Sequence, residues 1–146
     1  MIRLALQEDV IDIFIMLEKM HSEASTSYPP INQEKAVNYI AQHVQNKMCW
    51  VSQDKQGKLN GAIGCYWNPM WFSDEGGLFD AFFYVDSSVQ NTGVGKQLIK
   101  KLKKFSNKYK QPLVMSVLDG RHIEAKDKFF NNAGFKRAGG IYTTKL

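Results

Sequence analysis

The segment from residue 78 to residue 118 restricts the possible folds of this chain most strongly. An almost continuous apolar run, Leu78–Val85, is typical of a central strand that is buried on both faces. A polar, glycine-bearing loop follows at Ser87–Gly95, and apolar residues from Val94 to Tyr109 then recur on one face of a helix. A second apolar run, Leu113–Leu118, completes a strand–helix–strand unit, which predicts a parallel crossover within one sheet.

The rest of the chain adds further strands and helices around that unit. Two helices are expected after the N-cap residues Asp9 and Asn32. The other expected elements are strands at Met1–Leu6, Met48–Ser52, Leu59–Trp67 and Ile141–Leu146 and a last helix at Glu124–Asn132. The order β-α-α-β-β-β-α-β-α-β predicts one α+β domain over residues 1–146, with a mixed sheet and helices on its faces.

Composition and cysteine usage exclude several other classes of protein. With 146 residues, 44% apolar and 23% charged, the chain suits one globular domain and is too apolar to be disordered. No apolar run approaches the ~20 residues of a membrane-spanning helix, so no membrane association is expected. Cys49 and Cys65 form no CxxC pair and have no metal-ligand spacing with the three histidines. We therefore expect no disulfide framework, no metal and a reducing, cytoplasmic setting.

The positive charge is concentrated in one part of the chain. The formal net charge is +5. Between Ser87 and Leu118 there are seven lysines and no Asp or Glu, so the rest of the chain has a net charge of −2. This asymmetry predicts a polyanionic ligand close to the helix that follows the glycine loop.

The glycine loop, Gln90–Gly95, fits neither of two common phosphate-binding motifs. A Walker A loop needs glycine at position 90 and Ser or Thr after Lys96, and a dinucleotide fingerprint needs a third glycine at position 98. What remains, Q-x-x-G-x-G at the start of a helix, offers an anion its backbone N–H groups, the Gln90 and Thr92 side chains and the Lys96 charge. The alternative is a plain glycine turn before a solvated basic helix, which leaves the local lack of acidic residues unexplained.

The loop and its surroundings resemble the GNAT superfamily of acyl-CoA N-acyltransferases. The family signature, (Arg/Gln)-x-x-Gly-x-(Gly/Ala) after a hydrophobic strand, is similar to FFYVDSSVQNTGVG at residues 82–95. The segment FFNNAGF at residues 129–135 is similar to the family's C-terminal helix, which ends in Gly-Phe. The resemblance implies a GNAT-like single domain with a mixed, mostly antiparallel sheet of about six to seven strands and about four flanking helices.

The resemblance also implies how acetyl-CoA, the expected acyl donor, binds. In the family the pantetheine arm lies along the strand before the loop, here Phe83, Tyr84 and Val85. The pyrophosphate lies on the loop and the first helical turn, here Gln90, Asn91, Thr92, Gly93, Val94, Gly95 and Lys96. An amine then attacks the thioester directly. No cysteine nucleophile and no metal is implied, so both cysteines are expected in the core.

Asp80 and His122 are the candidate catalytic residues. Asp80 lies in an otherwise apolar strand, where burial would raise its pKa toward neutrality and suit it to be a general base; its alternative role is a structural hydrogen bond. His122 lies where the family often has Asn and would hold the pantetheine, act as a base or only start the last helix. The tyrosine that often serves as the acid in the family corresponds to Phe130, with Tyr84 and Tyr142 as alternatives.

For the site that binds the acceptor amine, the resemblance indicates two segments of the chain. The family shapes it from the first two helices and the loop between the middle strands, here Met20–Tyr28 and Asn68–Gly77. The candidates to line the acceptor pocket are Trp67, Met70, Trp71 and Phe72, although Trp67 and Phe72 suit core packing equally well. Asp74 and Glu75 are candidates to attract an amine.

Three functions compete. The leading one is an N-acetyltransferase that moves acetyl from acetyl-CoA to a primary amine of a small molecule, peptide or protein, and a homodimer is compatible with it. The second is a non-catalytic CoA-binding protein with a regulatory or interaction role, which the missing tyrosine favours. The third, a nucleic-acid-binding module, ranks last because the sequence has no recognised reading motif, so nucleic acid is not an expected partner.

Overall fold

The computed structural model describes residues 1–24 and 28–144 of the chain. Within them the strands are β1 Ile2–Leu4, β2 Cys49–Gln53, β3 Leu59–Pro69, β4 Gly76–Val85 and β5 Leu113–Val114. The α-helices are α1 Val10–Glu23, α2 Gln33–Gln45, α3 Val94–Lys108 and α4 Ile123–Asn132. Short 3-10 turns at Gln7–Asp9 and Ser87–Val89 precede α1 and the loop before α3. Across these described ranges, every helix lacks the combination of length and apolarity that a bilayer span requires.

The strands form one sheet in the order β1-β2-β3-β4-β5. Strands β1 to β4 pair antiparallel with their neighbours, whereas β4 and β5 are parallel. The chain passes from β4 to β5 through α3, as the strand–loop–helix–strand pattern predicts. The α+β class with a mixed, mostly antiparallel sheet is therefore confirmed.

Strand β4 contributes to two hydrophobic cores, one on each face of the sheet. Phe82 and Tyr84 are buried under α1 and α2. Phe83 and Val85 pack on the opposite core, around Leu98 of α3. Because helices cover both faces of β4, the strand is apolar at almost every position rather than alternating between apolar and polar residues.

The N-terminal helices begin in two different ways. Asn32 caps α2 as predicted, since its side chain accepts the Lys35 N–H at 2.9 Å. Asp9 precedes α1, but its carboxylate accepts two hydrogen bonds from Arg3, at 2.7 and 2.9 Å, and one from the Leu6 N–H at 2.7 Å. Asp9 therefore ties β1 to the start of α1 instead of capping the helix with its side chain.

A β-bulge in β4 is visible only in the fold. Gly64 of β3 pairs with Phe82, but the next residue, Cys65, pairs with Asp80, which leaves Ala81 as an extra residue. Ala81 and Phe82 consequently both pack on the α1 and α2 side. A methyl group on Gly64 would lie 2.5 Å from the Phe82 ring, so the ring crosses the strand where a side chain is missing.

The sheet has five strands in the described residues, fewer than the six or seven expected. Strand β5 is shorter than predicted because the side chain of Asp80, rather than the β4 backbone, accepts the Ser116 N–H at 2.9 Å. The predicted strand at Ile141–Leu146 is absent from residues 141–144, and residues 145 and 146 lie outside the described part of the chain. Residues 141 and 142 are exposed, so no burial holds them on the sheet edge.

Gly64→Ala is expected to lower the free energy of unfolding by about 1–3 kcal/mol, because the new methyl group must displace the Phe82 ring. Urea denaturation followed by tryptophan fluorescence measures this change. Gly139→Ala is the control, since no atom lies within 4 Å of the methyl group that it adds. Equal unfolding midpoints for the two variants would show that the ring does not constrain the bulge.

Candidate active site

The loop between β4 and α3 presents backbone N–H groups at the start of a helix. Gly93, the residue before α3, is left-handed with φ at 91°, and Asn91 also has a positive φ of 64°. The Gln97 N–H donates to the Gly93 carbonyl at 3.0 Å, which is the first hydrogen bond of the helix. The N–H groups of residues 94–96 precede that bond and point out of the helix end, where the helix dipole also favours an anion.

The two glycines of the loop have different structural roles. A methyl group on Gly93 would meet no atom of the described residues within 4 Å, so the space beside it is open. A methyl group on Gly95 would lie 3.2 Å from the Phe129 ring and 3.4 Å from the Phe83 ring. Gly95 therefore lets α3 pack closely on β4 and α4, whereas Gly93 supplies the positive φ and the open approach for a ligand.

The polar side chains of the loop are only partly available to a ligand. Gln90, Asn91 and Lys96 are exposed. The Thr92 hydroxyl donates to the Val89 carbonyl and so stabilises the turn. Gln90, Asn91 and Lys96 thus remain as exposed side-chain donors, whereas the Thr92 hydroxyl is engaged within the turn.

The carboxylate of Asp86 lies next to the loop and is neutralised locally. It accepts the Ser88 N–H at 3.0 Å and the Ser88 hydroxyl at 2.7 Å, and it pairs with Lys19 Nζ of α1 at 3.0 Å. These contacts, the Ser88 N–H above all, hold the pKa of Asp86 at about 2. The ion pair joins the loop to α1 and limits the negative potential that Asp86 adds near the start of α3.

The edge of β4 that faces β5 loses its backbone partner near the middle of the strand. The last ladder pair joins Phe79 with Val114, and the next residue, Asp80, uses Oδ1 to accept the Ser116 N–H at 2.9 Å. Beyond this contact, residues 81–85 have no ladder partner on the β5 side among the described residues. The three residues predicted to hold the pantetheine arm lie in this stretch: Phe83, Tyr84 and Val85.

Asp80 lies where that unpaired edge begins, next to the bulge. Burial raises the pKa of its carboxyl to about 6, against the opposing effect of the hydrogen bond from Ser116. A carboxyl with this pKa changes its protonation state near neutral pH and can exchange a proton with a ligand. The structural hydrogen bond and the perturbed pKa, which the sequence offers as alternatives, therefore occur together.

The second predicted catalytic residue, His122, is not joined to the first. His122 precedes α4 in a left-handed conformation, with φ at 52°, and it is exposed. Its carbonyl accepts the Lys126 N–H at 3.0 Å, and no hydrogen bond links His122 with Asp80 in the described residues. Phe130 packs into the core on the α3 side, so the usual position of the family's acid is a packing position here.

Sequence reasoning missed a group of aromatic residues on the α1 and α2 side of β4. Burial above all raises the pKa of Tyr39, and the Tyr66 and Asp80 charges add to the effect. The His43 ring is 4.3 Å from the Tyr39 ring and 5.8 Å from the Phe82 ring, between centroids. The i,i+4 spacing of Tyr39 and His43 signals one helix face, but nothing in the sequence marks the bulge that brings Phe82 beside them.

The two segments expected at the acceptor side differ in how far they are described. Residues 25–27 of the first segment lie outside the described residues. In the second, Trp71 and Phe72 are exposed at the turn between β3 and β4. Trp67, in contrast, packs on Phe105 and Tyr109, with ring centroids 5.7 and 5.4 Å away. Trp67 is therefore partly in the core, and Phe72 is not.

The cysteines are inert, as expected of small core residues. Cys49 and Cys65 are buried and unpaired, and burial raises the pKa of each thiol to about 12, so neither forms a thiolate nucleophile near neutral pH. In residues 1–24 and 28–144, no group of three His, Cys, Asp or Glu side chains is arranged to hold a metal ion.

Asp80→Asn is expected to change how stability depends on pH. Because the pKa of Asp80 rises from 3.8 to about 6 on folding, its contribution to stability is complete below about pH 4 and is lost as the pH rises through about 6. The Asn variant can still accept the Ser116 N–H but does not titrate. Relative to it, the wild-type protein should lose about 1–3 kcal/mol of unfolding free energy between pH 4 and pH 7. Urea denaturation at several pH values measures this, and parallel pH curves for the two proteins would refute the raised pKa.

The chain is similar to one family model and to several solved structures. A family model described as an acetyltransferase (GNAT) domain matches residues 45–137, and no curated protein matches the chain. A ribosomal-protein-alanine N-acetyltransferase from Brucella melitensis superposes with a TM-score of 0.80 at 15% identity, over 100% of this chain and 90% of that one. An acetyltransferase from Trypanosoma brucei gives 0.72 at 17% identity, over 100% and 99% of the two chains. An aminoglycoside acetyltransferase from an uncultured soil metagenomic sample gives 0.68 at 16% identity, over 100% and 96%.

At these identities the solved structures show a common fold. The family model adds the relationship in sequence, because its match covers more than half of the chain and includes β4, the glycine loop and α3. The chain therefore belongs to the GNAT acetyltransferase family.

Proposed function

We propose that this protein is an N-acetyltransferase that moves the acetyl group of acetyl-CoA to a primary amine. Membership of the family supports acyl transfer in general. The observation that carries the proposal is the start of α3, where the side of Gly93 is open and the N–H groups of residues 94–96 precede the first helical hydrogen bond, an arrangement that suits a phosphate ester.

The loop suits the pyrophosphate of acetyl-CoA. An oxygen at the helix end can accept hydrogen bonds from the N–H groups of residues 94–96, and no side chain on Gly93 stands in its way. Gln90 and Lys96 are exposed and can also donate hydrogen bonds to it. Lys96 and Lys100, in the first two turns of α3, are exposed and attract an anionic ligand.

The unpaired edge of β4 suits the pantetheine arm. The arm contains amide groups, which can pair with the backbone of residues 83–85 much as an added strand would. The side chain of Tyr84 is buried against α1 and α2, so only the backbone of this residue is offered to the arm. A ligand that follows this edge away from the loop brings its thioester toward Asp80 and the bulge at Ala81.

The proposed reaction needs one group that accepts a proton. The amine must lose the proton of its ammonium form before its nitrogen attacks the thioester carbonyl, where the C–N bond forms and the C–S bond then breaks. Asp80, with a pKa of about 6, is ionised at neutral pH and can take that proton. A backbone N–H on the unpaired edge of β4 can stabilise the negative charge that develops on the carbonyl oxygen.

The leaving group explains why a phenylalanine is tolerated at the usual acid position. The thiol of coenzyme A resembles that of cysteine, with a pKa of about 8.5, so it can leave as a thiolate without a proton donor. Phe130 has a packing role in the α3-side core, and no other residue is needed to replace the acid.

The acceptor is proposed to be a cationic amine. Residues 1–86, which form the first four strands with α1 and α2, contain eleven acidic and six basic side chains, a net charge of −5. A protonated amine is attracted to such a surface. Tyr39 and Tyr66 are partly exposed, and their ring faces favour a cation.

A CoA-binding protein without turnover is the second candidate. It is favoured by the core position of Phe130 and by the absence, within the described residues, of a hydrogen bond between His122 and Asp80. It predicts tight binding of acetyl-CoA with no thiol release over a panel of diamines, lysine peptides and aminoglycosides, whereas the leading proposal predicts release with at least one class.

Gly93→Glu is expected to weaken acetyl-CoA binding by at least about 100-fold while the fold persists, because it places a carboxylate in the open space at the helix end. Titration calorimetry measures the affinity. The matched control is Gly57→Glu, which adds the same charge at another open glycine with a positive φ, 84° against 91°. Unchanged affinity in Gly93→Glu, or an equal loss in Gly57→Glu, would refute the assignment of the loop.

The rate of acetyl transfer is expected to depend on the ionisation of Asp80. With an amine found by the thiol-release panel, kcat/KM should rise with pH through an inflection near 6, since the carboxylate form is the base. Asp80→Asn should lower kcat by about 100-fold or more and remove the inflection, with the Kd of acetyl-CoA unchanged. The same inflection in the variant would show that another group is the base.

A further inference from the structure

The exposed face of α3 carries positive charge along the whole length of the helix. Lys96, Lys100, Lys104 and Lys108 follow one another at i,i+4 spacing, and we call them the lysine row. All four are exposed, and none of them forms an ion pair with the described residues. Like charges at this spacing destabilise a helix, so the lysine row lowers the stability of α3. Because the four side chains are exposed, packing does not explain their presence.

The row extends well beyond the phosphate loop. Lys96 lies in the first turn of α3, whereas Lys104 and Lys108 are about 12 and 18 Å further along the helix axis. A pyrophosphate at the start of α3 therefore leaves the second half of the row without an anionic partner.

A groove of about 320 Å³ lies at the far end of the row, where residues just after α3 line it. Two aromatic rings line it, those of Trp67 and Tyr109, which meet at 5.4 Å with a 77° angle between their planes. Lys108, the last member of the row, has its Nζ 5.4 Å from the centre of the Tyr109 ring. The row and the groove are thus continuous.

The polar lining of the groove suits a heterocycle better than a phosphate. The amides of Asn68 and Gln111 can each donate and accept hydrogen bonds, and the carboxylate of Asp74 can accept from an amino group but repels phosphate. Aromatic faces beside such groups are typical of sites that stack and read an unpaired base.

We propose that this face binds single-stranded nucleic acid, with the phosphate backbone along the lysine row and one base in the groove. A single strand is favoured over a duplex because a base must leave its pair and its stack to enter the groove. The sequence has no recognised nucleic-acid motif, and the groove at the end of the row becomes visible only in the fold. The site is separate from the one proposed for acetyl-CoA, apart from Lys96 at the junction.

The test uses a fluorescein-labelled, mixed-sequence single-stranded DNA of about twelve nucleotides, an abasic strand of the same length, and fluorescence anisotropy at several salt concentrations. For four lysine–phosphate contacts, the logarithm of the binding constant should fall against the logarithm of salt with a slope of about −3. Lys104→Glu/Lys108→Glu removes two of the four contacts, so the slope should flatten to about −1.4 or closer to zero. The affinity for acetyl-CoA should not change. Lys55→Glu/Lys58→Glu, an equal charge change at the exposed β2–β3 turn, should keep the slope of the wild type.

The base contact is tested separately from the charge. The abasic strand should bind the wild-type protein about tenfold more weakly than the intact strand, with a similar salt slope. Tyr109→Ala should remove this preference for the intact strand. Equal binding of the abasic and intact strands to the wild-type protein would overturn the groove assignment even if Tyr109→Ala failed to fold. Equal loss of slope in the two double variants, or binding of polyglutamate as tight as that of DNA, would overturn the proposal as a whole.

Discussion

The early end of the pairing between β4 and β5 is the constraint on which the proposed site depends. The two strands share two ladder pairs, after which the Asp80 carboxylate takes the Ser116 N–H that would otherwise continue the ladder. This one hydrogen bond has two effects. It leaves the backbone of residues 81–85 without a ladder partner on the β5 side in the part of the chain that the structure describes, and it holds a half-buried carboxyl at the point where that unpaired edge begins. The bulge at Ala81 adds to the separation, since it changes the direction of side chains along the same strand.

Charge is divided between the two halves of the chain, and each half is proposed to meet a ligand of the opposite sign. Residues 1–86 have a net charge of −5, whereas residues 87–146 contain thirteen basic and three acidic side chains, a net charge of +10. The basic half contains α3 and α4, and it offers the start of α3 to a phosphate ester. The acidic half contains α1 and α2 and the exposed rings of Tyr39 and Tyr66. A protein with this division can attract an anionic donor and a cationic acceptor to opposite faces of one sheet.

Much of the fold can be predicted from local sequence patterns. The features that could not be predicted depend on contacts between residues that are distant in the sequence. The buried run, the glycine loop and the amphipathic helix predict the crossover because each is encoded within about a dozen residues. The bulge is not predictable in this way, since it depends on Gly64 lying opposite Phe82 in another strand. The same reason explains why β5 is shorter than its apolar run: the competitor for the Ser116 N–H is a side chain 36 residues away. Gly95 is part of the predicted Q-x-x-G-x-G loop. It also lies so close to Phe129 of α4 that a side chain would crowd the ring, and the spacing of the loop residues does not reveal this packing role.

The central claim is that the N–H groups at the start of α3 bind the pyrophosphate of coenzyme A. Amide resonances in a ¹H–¹⁵N spectrum test it directly, through titration with coenzyme A and, separately, with pantetheine, which has no pyrophosphate. We expect the amide resonances of residues 93–96 to shift downfield with coenzyme A and to stay in place with pantetheine. If coenzyme A moved other resonances and left those of residues 93–96 unchanged, the claim would be contradicted.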